Sequence, residues 1–149
     1  MDWDAWARRA ETAIDVAGGG DWKGLFAPDA TFADPNSAAT TDLRKISRET
    51  REIFPDWTQE ITSIRGGDDW AVFEWIGRAT YRPAKADAPG GGASITMHGA
   101  TIVEVNDAGL VTSWRDYLDR KEPEDQIRAA YSQGSKRPSN SNLPSRTRP

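Results

Sequence analysis

Two short turn sequences constrain this chain more than any other feature. Gly66-Gly67-Asp68-Asp69 and Asn106-Asp107-Ala108-Gly109 each separate two runs rich in branched and aromatic residues, the pattern of a β-hairpin. The first turn joins Trp57–Arg65 to Trp70–Arg82, and the second joins Ala93–Val105 to Thr112–Asp119. Between the hairpins, Pro83 to Gly92 holds two prolines and three glycines and reads as a loop. Long strands joined in this way curl, and helices covering the concave side leave a cavity.

The helices come mostly first. Trp3, Trp6, Ala7, Ala10, Ala13, Ile14 and Ala17 recur at helical spacing, so Asp2 to Ala17 is expected to be an amphipathic helix ended by Gly18-Gly19-Gly20. Asp21 is placed to cap a short second helix through Trp22, Leu25 and Phe26. Pro28-Asp29 then turns the chain into a short strand, Ala30 to Asp34, which Pro35-Asn36-Ser37 breaks. Thr41 or Asp42 caps a third helix with Leu43, Ile46, Ile53 and Phe54 on its apolar side, and Pro55-Asp56 stops it. Pro123 suits the first turn of a last helix carrying Ile127, Ala130 and Tyr131. Helices segregated to one side of a curved, mostly antiparallel sheet make an α+β fold, here a cone with N-terminal helices closing a pocket.

Side chains alternate along a strand. Trp57, Gln59, Ile61 and Ser63 therefore share one face of their strand, and Trp114, Asp116 and Leu118 share one face of the last, with Arg115, Tyr117 and Asp119 opposite. If Trp114 and Leu118 face inward, Asp116 is a carboxylate between two large apolar groups. Such a group must be paired, hydrogen-bonded or protonated. It is either a structural polar link or an acid/base group.

Composition narrows the class. The 149 residues, 28% charged and 37% apolar, suit one soluble globular domain. Without cysteine there are no disulfides or thiolate metal sites, which fits a cytoplasmic protein. No apolar run approaches the roughly 18 residues of a membrane span, and the N-terminus lacks a signal-peptide core. The net charge of −4 hides a split, because Lys136, Arg137, Arg146 and Arg148 all follow Ser132 with no acid among them. That leaves 15 basic against 23 acidic residues before the tail, a balance of −8. Residues 1–132 read as the domain and 133–149 as a disordered basic tail. An acidic body argues against a nucleic-acid partner. No phosphate loop, dinucleotide glycine motif or His/carboxylate cluster appears, so neither a cofactor nor a metal is expected.

Three stretches carry a family resemblance. Leu25-Phe26-Ala27-Pro28-Asp29-Ala30-Thr31-Phe32-Ala33-Asp34-Pro35 resembles the opening of the nuclear transport factor 2-like (cystatin-like) superfamily. Phe73-Glu74-Trp75-Ile76-Gly77-Arg78-Ala79-Thr80 looks like the middle strand of its SnoaL-like polyketide cyclases. Trp114-Arg115-Asp116-Tyr117-Leu118-Asp119 is similar to the last strand of the limonene-1,2-epoxide hydrolase type. With the element order, the resemblance covers about residues 2 to 132. It implies a homodimer, for which Ile76, Ile102 and Val111 are the outward apolar residues.

The resemblance also nominates site residues. Asp34-Pro35 matches the general-base aspartate of ketosteroid isomerase, but the oxyanion-hole tyrosine and aspartate of that enzyme fall at Ala13 and Thr101. Asp116 matches the last-strand aspartate of the epoxide hydrolase. That enzyme's arginine and second aspartate fall at Trp75 and Gly77, and its Tyr and Asn fall at Phe32 and Asp34. SnoaL-like cyclases use a pocket histidine with an aspartate. The sole histidine, His98, alternates away from Met97, Gly99 and Thr101 unless a bulge at Gly99 turns it inward.

Asp34 and Asp116, from facing strands, are thus the expected catalytic pair, with His98 as a third member. The bland alternatives are a turn cap for Asp34 and a structural hydrogen bond for Asp116. Seven tryptophans are many for a small chain: core packing accounts for most of them, and the alternative is a flat aromatic-lined pocket with Trp75 as its first candidate. Trp75, Trp114, Phe32, Met97 and Thr101 are the expected substrate-binding set, while Arg78 and Arg115 point outward. The implied activity is cofactor-free acid/base chemistry (cyclisation, isomerisation, dehydration or hydrolysis) on a small apolar or aromatic molecule. The alternative is a ligand carrier, sensor or dimerisation module without catalysis.

Overall fold

The computed structural model describes residues 1–20, 22, 24–82 and 92–134. Among them run α1 (Trp3–Ile14), β1 (Phe26–Asp34), β2 (Ser37–Thr40), α2 (Leu43–Ile53), β3 (Thr58–Gly66), β4 (Trp70–Tyr81), β5 (Ala93–Val105), β6 (Val111–Leu118) and α3 (Lys121–Gly134). The six strands form one curled, unclosed sheet in the order β2-β1-β6-β5-β4-β3. Every pairing is antiparallel except β1 with β6. This is the expected α+β architecture, and both hairpins turn where the sequence places them.

Asp2 caps α1 by accepting from the Ala5 N–H, and Trp6, Ala7, Ala10 and Ile14 form its buried stripe. Two tryptophans fix where this helix lies. Trp3 Nε1 donates to the carbonyl of Gly67 at 2.9 Å, in the β3–β4 turn, and Trp6 Nε1 donates to that of Gly109 at 3.2 Å, in the β5–β6 turn. Arg9 adds a second donor to Gly109 at 2.9 Å. One helix thereby ties both hairpin tips together. Below it Trp6, Phe73 and Trp114 pack in a row, with ring centroids 5.9 Å and 5.4 Å apart. Leu25, Val103 and Val111, all fully buried, close the core around them.

On the concave face, two indoles lie over glycines of the next strand. Trp75 pairs with Gly99 across β4–β5, where a Cβ would stand 2.3 Å from the ring. Trp57 lies over Gly77 in the same way, 2.2 Å from where a Cβ would be. The missing side chains are what let these rings lie flat.

Strand β6 ends at Leu118, opposite Gly99, so the β5 backbone from Ala93 to His98 has no strand on that side. Helix α3 covers it. Gln126 both accepts from Thr96 N–H and donates to Thr96 O, each at 2.7 Å, and Glu122 accepts from His98 N–H at 2.8 Å. A bare sheet edge is thus satisfied by side chains.

Several expectations need correction. Helix α1 stops at Ile14 rather than Ala17, because Asp15 leaves the helical region and accepts from Gly18 N–H. The short second helix is absent among the described residues: Gly24 turns, and Leu25 and Phe26 lead into β1. Strand β2 was not expected; its small residues pair at the edge of the sheet. In β3 an extra residue, Thr62, shifts the register, so Ser63 is exposed and Ile64 turns inward. Thr112 does the same in β6, and Val111, expected on the outside, is fully buried. Ile53, expected on the apolar side of α2, is 41% exposed. Of the loop expected at Pro83 to Gly92 and the tail expected at 133–149, residues 83–91 and 135–149 lie outside the described residues, while residues 133 and 134 end α3.

The glycine seat for Trp75 is testable. Gly99→Ala puts a methyl group into a rigid ring system and should cost about 1–3 kcal/mol, as over-packed cores do. Urea unfolding of the purified variant measures it; an unchanged midpoint would mean that the ring has room to move.

Candidate active site

Alternation along β6 does bring Trp114, Asp116 and Leu118 to one face, and all three line a cavity of about 240 Å³ inside the curled sheet. Phe32 of β1, Trp75 of β4 and Met97 of β5 form its walls, with Ile46 and Phe54 from the α2 side and Pro123 and Ile127 from α3. Most of this lining is apolar, which makes each polar group within it consequential.

The Asp116 carboxyl is held at one oxygen. Thr101 donates its hydroxyl to Oδ1 at 2.5 Å, and Trp114 donates its indole N–H to the same atom at 2.7 Å. Behind Thr101, Trp75 Nε1 donates to the threonine oxygen at 2.8 Å. The β5–β6 register sets Thr101 directly across from Asp116, and the β4–β5 register brings Trp75 over Gly99 within reach of Thr101. Burial pushes the Asp116 carboxyl up to about 7, the Thr101 and Trp114 hydrogen bonds oppose the rise, and the Asp34 charge adds to it. Near neutral pH this group can both take and give a proton.

Asp34 also lines the cavity. It comes from the neighbouring strand rather than a facing one: the parallel β1–β6 register pairs Ala33 with Arg115, so Asp34 stands next along from Asp116. Its Oδ1 accepts from Asn36 N–H and Ser37 N–H, each at 2.7 Å, and from the Ser37 hydroxyl at 2.9 Å. Asp34 is therefore committed to the turn between β1 and β2 while its charge acts on Asp116.

His98 lies elsewhere. The β4–β5 ladder runs without a shift from Trp70–Glu104 to Tyr81–Ala93, so no bulge turns the ring inward. The side chain is 61% exposed and bonds Glu122 at 2.6 Å, whose carboxylate His98 holds below its usual range. Thr101, expected to touch substrate, is instead fully buried beneath Asp116 and does not line the cavity. Arg78 and Arg115 do point outward, Arg78 to Glu60 at 3.1 Å and Arg115 to Glu104 at 3.5 Å.

Gln59 was missed as a site residue. It lines the cavity, and its Nε2 is buried without a hydrogen-bond partner. A polar residue alternating with Trp57 on the inner face of β3 was the available signal. Asn36, Arg120 and Glu124 also border the cavity, and nothing local in the sequence distinguishes them from other surface polar residues.

The raised Asp116 affinity for a proton has a stability consequence. A carboxyl group bound more tightly to its proton in the folded chain than in the unfolded one, where it titrates near 3.9, stabilises the fold fully at low pH. That contribution is lost as pH rises through about 7. Asn keeps an oxygen for Thr101 and Trp114 and never ionises. Wild type should therefore lose up to about 4 kcal/mol against Asp116→Asn between pH 4 and pH 8. Parallel urea titrations across that range read the difference, and parallel stability curves would rule out the raised Asp116 carboxyl.

The SnoaL-like domain family matches residues 4–114, from α1 into β6 and ending two residues short of Asp116. Among solved structures, the chain is similar to a SnoaL-like protein of Shewanella putrefaciens CN-32 named as a candidate polyketide cyclase. The identity is 14%, over 87% of this chain and 98% of that one, with a TM-score of 0.72. It is similar also to IdmH of Streptomyces antibioticus, likewise named as a candidate polyketide cyclase (19% identity, 86% and 99% covered, TM-score 0.71). A protein of Catenulispora acidiphila with a ketosteroid isomerase-like fold, in complex with trimethylamine, shares 21% identity over 85% and 91% of the two chains (TM-score 0.63). At these identities the likeness speaks for the fold. No curated protein matches the chain. The family match, spanning most of the chain, and the helices folded onto a curled sheet lead to one statement: the chain belongs to the SnoaL-like domain family.

Proposed function

We propose that this protein is an enzyme performing acid/base chemistry on a small apolar or aromatic, polyketide-like molecule, with Asp116 as the proton-transferring group. One observation carries the reading: the Asp116 carboxyl, which burial pushes up to about 7, lines a mostly apolar cavity walled by Phe32, Trp75 and Trp114. Both indole N–H groups nearest to it are already engaged, so Trp75 and Trp114 offer ring faces rather than donors to a ligand. Flat rings select flat, apolar partners. Asp116 would draw a proton from a carbon next to a carbonyl, or from a hydroxyl, and return it elsewhere on the bound molecule. Cyclisation, isomerisation and dehydration share that step, and hydrolysis needs the same base acting on water. The charge of Asp34 favours the protonated form of its neighbour and so tunes the exchange towards physiological pH.

Candidate cyclisable aromatic polyketides, screened by product analysis, test the reading. Asp116→Asn should lower turnover by about 10²–10⁴-fold, the usual worth of a positioned acid/base group, while ligand affinity stays near that of wild type. A variant that turns over like wild type would remove Asp116 from the chemistry, and wild type that binds the candidates without turning any over would leave the carrier or sensor reading.

We also propose a homodimer through the convex face of the sheet. Val72 and Ile102 stand opposite each other there, with Ile76, Trp70 and Tyr117 around them, and Trp70, Val72 and Tyr117 are 48%, 38% and 54% exposed. Light scattering should give twice the 16.4 kDa chain mass; a monomer at micromolar concentration would contradict it.

A further inference from the structure

Resting on the reading of Asp116 as the proton-transferring group, we infer that Trp75 and Thr101 are positioning residues: their relay fixes the direction of the threonine hydroxyl and confines the acid proton of Asp116 to Oδ2. The argument is a count of donors. An indole nitrogen can only donate, so the 2.8 Å contact of Trp75 Nε1 makes Thr101 Oγ1 the acceptor. The single hydroxyl proton of Thr101 must then go elsewhere. Thr101 is fully buried, and Asp116 Oδ1 is the acceptor it meets among the described residues. Trp114, again donor-only, supplies a second hydrogen to the same oxygen at 2.7 Å. Oδ1 faces two donors, and an acid proton placed there would point at a hydrogen already present. Oδ2 takes it.

The consequence for chemistry is geometric. All proton exchange with a bound molecule runs through one oxygen of known position, while the other is anchored from two sides. Trp75 then has two parts to play at once, its ring face towards the ligand and its N–H away from it. Thr101 belongs to this relay rather than to the substrate-binding surface.

The test follows the Asp116 carboxyl directly by ¹³C NMR in aspartate-labelled full-length protein, with its resonance assigned by loss in Asp116→Asn. Thr101→Val has nearly the same shape but no donor, and should move the titration midpoint upward by about 1–2 pH units, the worth of one hydrogen bond to a charged group. Thr101→Ser should return it to the wild-type value. Trp75→Phe leaves the hydroxyl free to turn and accept from an acid proton on Oδ1, so the midpoint should rise by a smaller amount. A Thr101→Val midpoint equal to wild type, or a Thr101→Ser midpoint as high as that of Thr101→Val, would overturn the relay; if Thr101→Val does not fold, an unmoved Trp75→Phe midpoint does so. The readout is independent of turnover. Shifted midpoints with an undiminished Asp116→Asn reaction would therefore keep the relay and discard the catalytic reading.

Discussion

A carboxyl group set among tryptophan rings must be hydrogen-bonded or protonated, and Asp116 meets that demand with two donors to one oxygen and a raised proton affinity. Apolar surroundings penalise the charged form, while hydrogen bonds from Thr101 and Trp114 return part of the cost. Neither donor is near Asp116 by chance. Trp114 lies two residues back on the same face of β6, and Thr101 stands across the ladder on β5. Gly99 completes the arrangement, since only a residue without a side chain lets Trp75 lie flat and reach Thr101.

The same logic separates the two aspartates. Both border one cavity, but Asp34 spends an oxygen on three hydrogen bonds within its own turn, so it shapes the chain and contributes charge. Asp116 borders the cavity and is anchored at one oxygen by donors from Thr101 and Trp114. His98, the remaining titratable candidate, serves the junction between β5 and α3, where its backbone and ring both bind Glu122. Of the groups bordering the cavity, the Asp116 carboxyl is the one that burial raises to about 7, with the Asp34 charge adding to the rise.

Support for the site comes from the ends of the sheet. Helix α1 holds both hairpin tips by tryptophan donors, which keeps β3 to β6 curled over the cavity. Helix α3 satisfies the uncovered stretch of β5 and brings Pro123 and Ile127 to the cavity wall. These two helices hold the sheet at different places, and Asp116 itself lies on β6. That division suits a fold that hosts many chemistries on one frame.

The sequence by itself determined the local features: both hairpin turns, the buried stripe of α1, the ends of β5, and the inward face shared by Trp114, Asp116 and Leu118. Each follows from periodicity or turn chemistry carried along a single segment. Only the tertiary structure decided the rest. Bulges at Thr62 and Thr112 turned Ser63 outward and Val111 inward, because a register shift is settled between two strands and leaves no period in either. The exposed position of His98 depended on β4 and β5 staying in register past Gly99, a glycine that seats a tryptophan instead of forming a bulge. Thr101 was readable as an inward residue, but whether it met substrate or carboxylate depended on which residue the next strand set across from it. Alternation assigns a face; the neighbouring strand assigns the partner.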